Sequence, residues 1–308
     1  MRLILCLALS GLATVTPAAT KSGGPTSQFI DKSIVTYPTA LGHYSLVKES
    51  YDPANVPNGV SLHYNLADAP PELTFDIYVY PLGRVDTTKA VTDATVEMEG
   101  EIRTLEQQKI YADLKFDDAV EFDVVEPPSS ILKSDDKKDA ASGDAPEAAA
   151  SAAEPDSDTR AIVDAARSSA PSTSTTGRKH ALALTVRGMP SESLAYVFYR
   201  NLFLISVRAT APTSALPADK FNALVDHAVQ DLVPTMDIQN FGDCGTMYIS
   251  VDEKSTDKDK DALAGAIQLV REMGRIQREN CANKPGPDTA PPAGHAQETI
   301  VYPAGFWK

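Results

Sequence analysis

Residues 194–233 read LAYVFYRNLFLISVRATAPTSALPADKFNALVDHAVQDLV, and this stretch settles the class of fold. Its first half is two apolar runs, 194–199 and 202–209, rich in β-branched and aromatic residues and broken by Arg200-Asn201. That pattern is two strands joined in a hairpin, although the glycine that favours a tight turn is missing. Its second half changes period. Phe221, Leu224, Val225, Ala228 and Leu232 fall on one helical face, Pro217 sits at the first turn, and Pro234 ends the run. A hairpin followed by an amphipathic helix calls for a sheet with a helix laid on it.

The same alternation recurs upstream. Residues 33–37 and 44–48 are short strand-like pieces, and 59–64 alternates Val60, Leu62 and Tyr64 against Ser61 and His63. In 73–80, Phe75, Ile77 and Val79 oppose Asp76, Tyr78 and Tyr80, and Pro81-Leu82-Gly83 stops the strand. A helix is predicted from Asp86 or Thr87, its N-cap, to Ala112, with Val91, Met98, Ile102 and Leu105 on one face. Residues 118–125 and 181–187 read as strands, and Gly188-Met189-Pro190-Ser191 as a turn. A last strand is predicted at 246–251 and a last helix at 258–280, its stripe made by Leu263, Ile267, Val270, Met273 and Ile276. Short connections favour antiparallel neighbours. The expectation is therefore an α+β fold, a mainly antiparallel sheet packed against two or three helices.

Residues 134–176 stand apart. They hold twelve Ala, many Ser and Asp, and only Ile162 and Val163 as large apolar groups. Such a segment buries too little surface to offset its ordering entropy, so a long disordered acidic, Ala/Ser-rich excursion is expected, with at most a marginal helix near 159–167. The domain organisation read from this is a signal peptide over 1–19, one α+β domain over 28–283 interrupted by 134–176, and a Pro-rich tail over 284–308. Residues 299–307 of that tail are an expected edge strand.

The order of strands, helix, hairpin and helix, with 196–207 and the helix at 217–233 carrying the likeness, resembles the PsbP-like family of α/β sandwiches over about residues 29–235. That resemblance implies an accessory, partner-binding protein. It implies no catalytic residue for any position here, and the excursion and the cysteine-bearing C-terminal unit depart from the family pattern.

The N-terminus gives the compartment. Arg2, the apolar run 3–12 and Thr16-Pro17-Ala18-Ala19 read as a secretory signal cleaved after Ala18 or Ala19, too short to span a bilayer. The expected location is the bacterial periplasm or the medium. Cys6 leaves with the signal, and Cys244 and Cys281 are the pair that remains, so a disulfide is expected in an oxidising compartment. A strand followed by an antiparallel helix would bring those two cysteines to the same side. Losing Arg2 takes the formal charge from −14 to −15, a balance that repels phosphate backbones, and no nucleic-acid binding or membrane span is expected.

No motif carries chemistry. His43, His63, His180, His227 and His295 lack ligand spacing, and no GxSxG, SxxK, P-loop or GxGxxG is present. Asp257, Asp259 and Asp261 begin like a calcium loop, but Ala262 stands where the loop needs Gly and Gln268 where it needs Glu. No cofactor or metal is expected. The one surface hint is Tyr78, Tyr80, Tyr196 and Tyr199 on strands, a set suited to binding a glycan or peptide. The reading is a non-enzymatic envelope protein that binds a partner protein or envelope component. A secreted hydrolase with scattered catalytic residues is the alternative.

Overall fold

The structure is a computed structural model that describes residues 29–125, 157–169, 174–249, 258–286 and 290–307. The elements run β1 (Lys32–Pro38), β2 (Ala40–Leu41), β3 (Tyr44–Tyr51), β4 (Val60–Leu66), β5 (Thr74–Pro81), α1 (Thr87–Gln107), β6 (Tyr111–Phe116), β7 (Val120–Val125), α2 (Ser157–Ser169), β8 (Ser174–Val186), β9 (Met189–Arg200), β10 (Phe203–Pro212), α3 (Ala218–Leu232), β11 (Asp237–Phe241), α4 (Lys258–Arg278), β12 (Cys281–Ala282) and β13 (His295–Val301). The fold is α+β, as its alternating and helical periods require.

A nine-stranded antiparallel sheet has the order β2-β3-β4-β5-β10-β9-β8-β6, with β7 continuing the β6 edge along β8. Strands from either side of residues 126–173 meet where β5 pairs with β10. A four-stranded sheet, β12-β11-β1-β13, joins chain segments more than 200 residues apart. The main core lies on one face of the large sheet. Leu62, Phe75, Ile77, Val79, Phe198, Ile205 and Val207 from that face meet Phe221, Val225 and Leu232 of α3. Val35, Ile238 and Ile300 of the small sheet belong to the same core. Helix α1 lies on the other face, over β8, β9 and β10.

Several local expectations shift. The hairpin turn is Asn201-Leu202, one residue later than expected, and both have positive φ (51° and 72°). Leucine takes this glycine-like conformation because its side chain is buried and its carbonyl accepts the amides of Leu82 and Gly83. The turn before β9 is only Arg187-Gly188, so Met189, Pro190 and Ser191 are already strand. Asp86 caps α1, accepting from the Lys89 amide, but the helix stops at Gln107 and Ala112 lies in β6. Pro217 is the N-cap of α3 and lies just outside the first turn.

Residues 246–249 form no strand, which corrects that expectation; 250 and 251 lie outside the described residues. The unanticipated strand is β11, whose polar sequence DIQNF hides a central strand. Asn240 is satisfied there by Ser33, Asn201 and Glu279. The expected excursion is described only in part. Its residues 157–169 form α2, packed on α4, and 174–176 open β8, while 134–156 and 170–173 lie outside the described residues, as does the signal segment. The C-terminal strand begins at His295, earlier than expected, and buries Ile300 beneath β1. Its edge is blunted: the Thr299 amide donates to Glu298 Oε1 (3.1 Å), and Tyr51 hydrogen-bonds the Val301 backbone.

Candidate functional site

Cys244 and Cys281 form the disulfide, with Cα atoms 5.9 Å apart. The geometry that joins them differs from the expected strand–helix return. Cys244 lies in a one-turn 3-10 helix, Asp243–Gly245, just after β11, and Cys281 opens β12, which pairs in parallel with β11. The bond therefore staples two neighbouring strand ends. Arg275 of α4 reinforces it by donating to the carbonyls of Cys244 (2.8 Å) and Thr246 (3.0 Å).

Parity along the strands decides which tyrosines share a face. On β5 the core side is Phe75, Ile77 and Val79, so Tyr78 and Tyr80 look the other way. The register carries that outer face through Ser61 and His63 on β4, Ser206 and Arg208 on β10, and Ala195, Val197 and Tyr199 on β9. Tyr196 is on the opposite face and fully buried; its hydroxyl donates to Asp226 Oδ1 (2.5 Å), which also receives Lys179 (2.7 Å). Tyr196 is therefore core, not binding surface, and its odd offset from Tyr199 already separates them. Ser191 and Ser193 are likewise buried in β9, where Ser193 Oγ donates to the Ala209 carbonyl (2.9 Å).

The outer face is only half covered. Helix α1 lays Ala94, Met98 and Ile102 over Leu182, Leu184, Ala195, Val197 and Leu204, the β8–β9–β10 part of the sheet. Tyr80 and Tyr199 tuck against this helix, and the Tyr199 hydroxyl donates to the Gly83 carbonyl (2.6 Å). Toward β4 and β5 the face carries polar groups and no helix. There His63, Asp76, Tyr78, Ser206 and Arg208 are all half-buried.

Two side chains on this open half lack hydrogen-bond partners. The Tyr78 hydroxyl makes no hydrogen bond among the described residues. Burial pushes its hydroxyl pKa up to about 12, Asp76 adds to the rise, and Arg208 opposes it. The guanidinium of Arg208 stands over the Tyr111 ring, 5.4 Å from its centroid, and its shielded Nη2 has no hydrogen-bond partner. No described carboxylate lies within ion-pairing distance of it. Glu101 of α1 feels its charge, but burial and Glu97 together still raise the Glu101 pKa. Asp76 is occupied by His63, whose Nδ1 lies 2.9 Å away. That hydrogen bond raises the His63 pKa, and burial opposes it. Sequence reading missed Arg208, Tyr111 and the His63–Asp76 pair. Strand parity marks Arg208 as outward-facing, but only pairing shows that it adjoins Tyr78.

Elsewhere the chemistry is structural. His180 is buried under α1, with Nε2 2.5 Å from the Asp117 carbonyl and Nδ1 3.3 Å from Glu99 Oε1. His227 is exposed beside Asp231 (3.5 Å), one turn along α3, and not beside its chain neighbour Asp226. Asp259 and Asp261 sit in the first turn of α4, where the helix dipole favours acids. Among the described residues no group of three or more His, Cys, Asp or Glu is arranged to hold a metal. No helix among them is long and apolar enough to cross a membrane. An open cavity of about 170 Å³ lies between Asp113, Lys115, Thr185, Ser191, Glu192 and Thr213, below the few hundred Å³ of a typical small-molecule site. Burial and the charge of Asp117 raise the Glu192 pKa there. No family model matches the chain, and no curated protein matches its sequence.

Proposed function

We propose that this is an exported, non-enzymatic protein of the bacterial envelope that binds a partner protein through the open half of its large sheet. The observation that carries the reading is the uncovered polar strip beside α1, where the Tyr78 hydroxyl and the Arg208 guanidinium lack hydrogen-bond partners. A sheet face left half-bare next to a helix that covers the rest is a ready platform for another chain, and Tyr and Arg are the residues enriched at interface hot spots. The signal-like N-terminus and the Cys244–Cys281 bond support a periplasmic or extracellular location. The PsbP-like resemblance adds an accessory role in keeping with this reading.

The test is site-specific photo-cross-linking in the producing cells. A photoreactive phenylalanine at Tyr78 is expected to give one discrete adduct, and the same group at Ala223, exposed on α3 in the opposite layer, none. N-terminal sequencing of the recovered protein is expected to begin at Ala19 or Thr20. Equal labelling from both positions, or none from Tyr78, would overturn the binding face; an intact Met1 would overturn export.

A further inference from the structure

We propose that Arg208 and Tyr78 form a receptor for a single carboxylate, supplied by an acidic side chain of the partner polypeptide; this rests on the partner-binding reading above. A half-buried guanidinium without a hydrogen bond or ion pair is unusual, because a desolvated donor left unmade costs free energy. Here the Tyr111 ring packs against the group, and Nη2 is shielded from solvent with no hydrogen-bond partner. Tyr78 sits two strand positions from Asp76, the residue paired with Arg208 across β5 and β10, and its hydroxyl is a second unengaged donor. A planar fork plus a hydroxyl matches the acceptor geometry of a carboxylate.

The surroundings set the charge of the ligand. Asp76 is held by His63, while Glu97 and Glu101 of α1 line the helix side. The Arg208 charge attracts one carboxylate, while the negative field of these acids disfavours polyanions such as nucleic acid or polyphosphate. The same field explains why a compact positive cluster is not needed for the site to be selective.

The probe is N-acetyl-aspartate N-methylamide, titrated into the full mature protein and followed by the Arg208 Nε–H and Tyr78 ring resonances. Both are expected to move and saturate, whereas the blocked asparagine analogue and sodium chloride at matched ionic strength leave them in place. Arg208→Gln is expected to weaken the Tyr78 response at least tenfold, and Tyr78→Phe by a smaller factor, with melting temperatures showing that both variants fold. An identical response to asparagine or chloride, or an undiminished Tyr78 response in Arg208→Gln, would overturn the inference. If the Tyr78 cross-link persists in Arg208→Gln, the inference falls and the partner-binding reading stands. If aspartate saturates the site but no cross-link forms, the partner falls and a site for small carboxylates remains.

Discussion

Arg84 and Glu279, 195 residues apart, meet in a two-pronged ion pair, Nε to Oε1 at 2.6 Å and Nη2 to Oε2 at 2.9 Å. Arg84 follows β5 and stacks on the Phe29 ring (3.9 Å), and Glu279 follows α4 and also takes Arg275 Nη1 (2.8 Å). The pair thus ties the β5–α1 connection and the first described residues to the end of α4. Glu279 is buried while Arg84 is half exposed, so the two ends are not equally costly to remove.

Arg84→Ala is expected to cost about 1–2 kcal/mol, because Arg275 still compensates the carboxylate. Glu279→Ala leaves two guanidinium groups without their shared partner and is expected to cost about 3 kcal/mol. Arg84→Lys keeps the charge but loses the fork and the stacking, so it should recover only part of the loss. Urea unfolding of the single and double variants checks all three, and equal costs for Arg84→Ala and Glu279→Ala would contradict the account.

The disulfide closes a segment spanning 37 residues that includes α4. Chain entropy assigns such a loop about 4 kcal/mol, an upper figure because the reduced chain keeps some structure. Cys244→Ser/Cys281→Ser should therefore unfold at lower denaturant, and the native protein should show no free thiol until reduced. Labelling of the unreduced protein by a thiol reagent would refute the bond.

Gly177 of β8 lies under the Phe198 ring. A Cβ there would come within 2.3 Å of that ring and 2.4 Å of the Val197 carbonyl, which is backbone and cannot swing aside. Phe122, opposite Gly177 on β7, packs edge-on against Tyr196 (5.0 Å between centroids) and Phe198 (6.3 Å). Gly177→Ala should cost about 1–3 kcal/mol by overpacking, and calorimetry should show it. A neutral or stabilising alanine would mean that β8 can slide.

His63 supplies a pH dependence whose sign is fixed. The Asp76 hydrogen bond raises its pKa in the folded protein, with burial and Lys48 opposing. A raised folded value means that the charged pair stabilises fully below the unfolded value of about 6.5, and that the contribution is lost as pH rises through the folded value. The pair is more than one-third exposed on the histidine side, so solvent screening holds the effect to about a few tenths of a kcal/mol. The melting temperature of wild type should exceed that of His63→Gln at about pH 5.5 and converge with it at about pH 9. A gap that widens with pH would reverse the assignment.

What the sequence determined by itself is local. Period-two alternation placed β4, β5 and β10, the shift to a 3.6-residue period placed α1 and α3, and Asp86 marked where α1 begins. The cysteine pair followed from counting. Tertiary structure decided what has no local signature. Asn240 made β11 a strand only because Ser33, Asn201 and Glu279, distant in sequence, satisfy its amide. Ser157–Ser169 is too short to be a stable helix alone and is ordered against α4. Parity says that Tyr78 and Tyr196 each have two faces to choose from, but not which face another element will cover. Helix α3 and the small sheet cover the face that holds Tyr196, whereas helix α1 shields only the β8–β10 part of the other face and stops short of β4 and β5, so Tyr196 became core and Tyr78, near Arg208, stayed half-buried. Alternation is a property of one strand, whereas coverage depends on which strands pair and where a helix reaches.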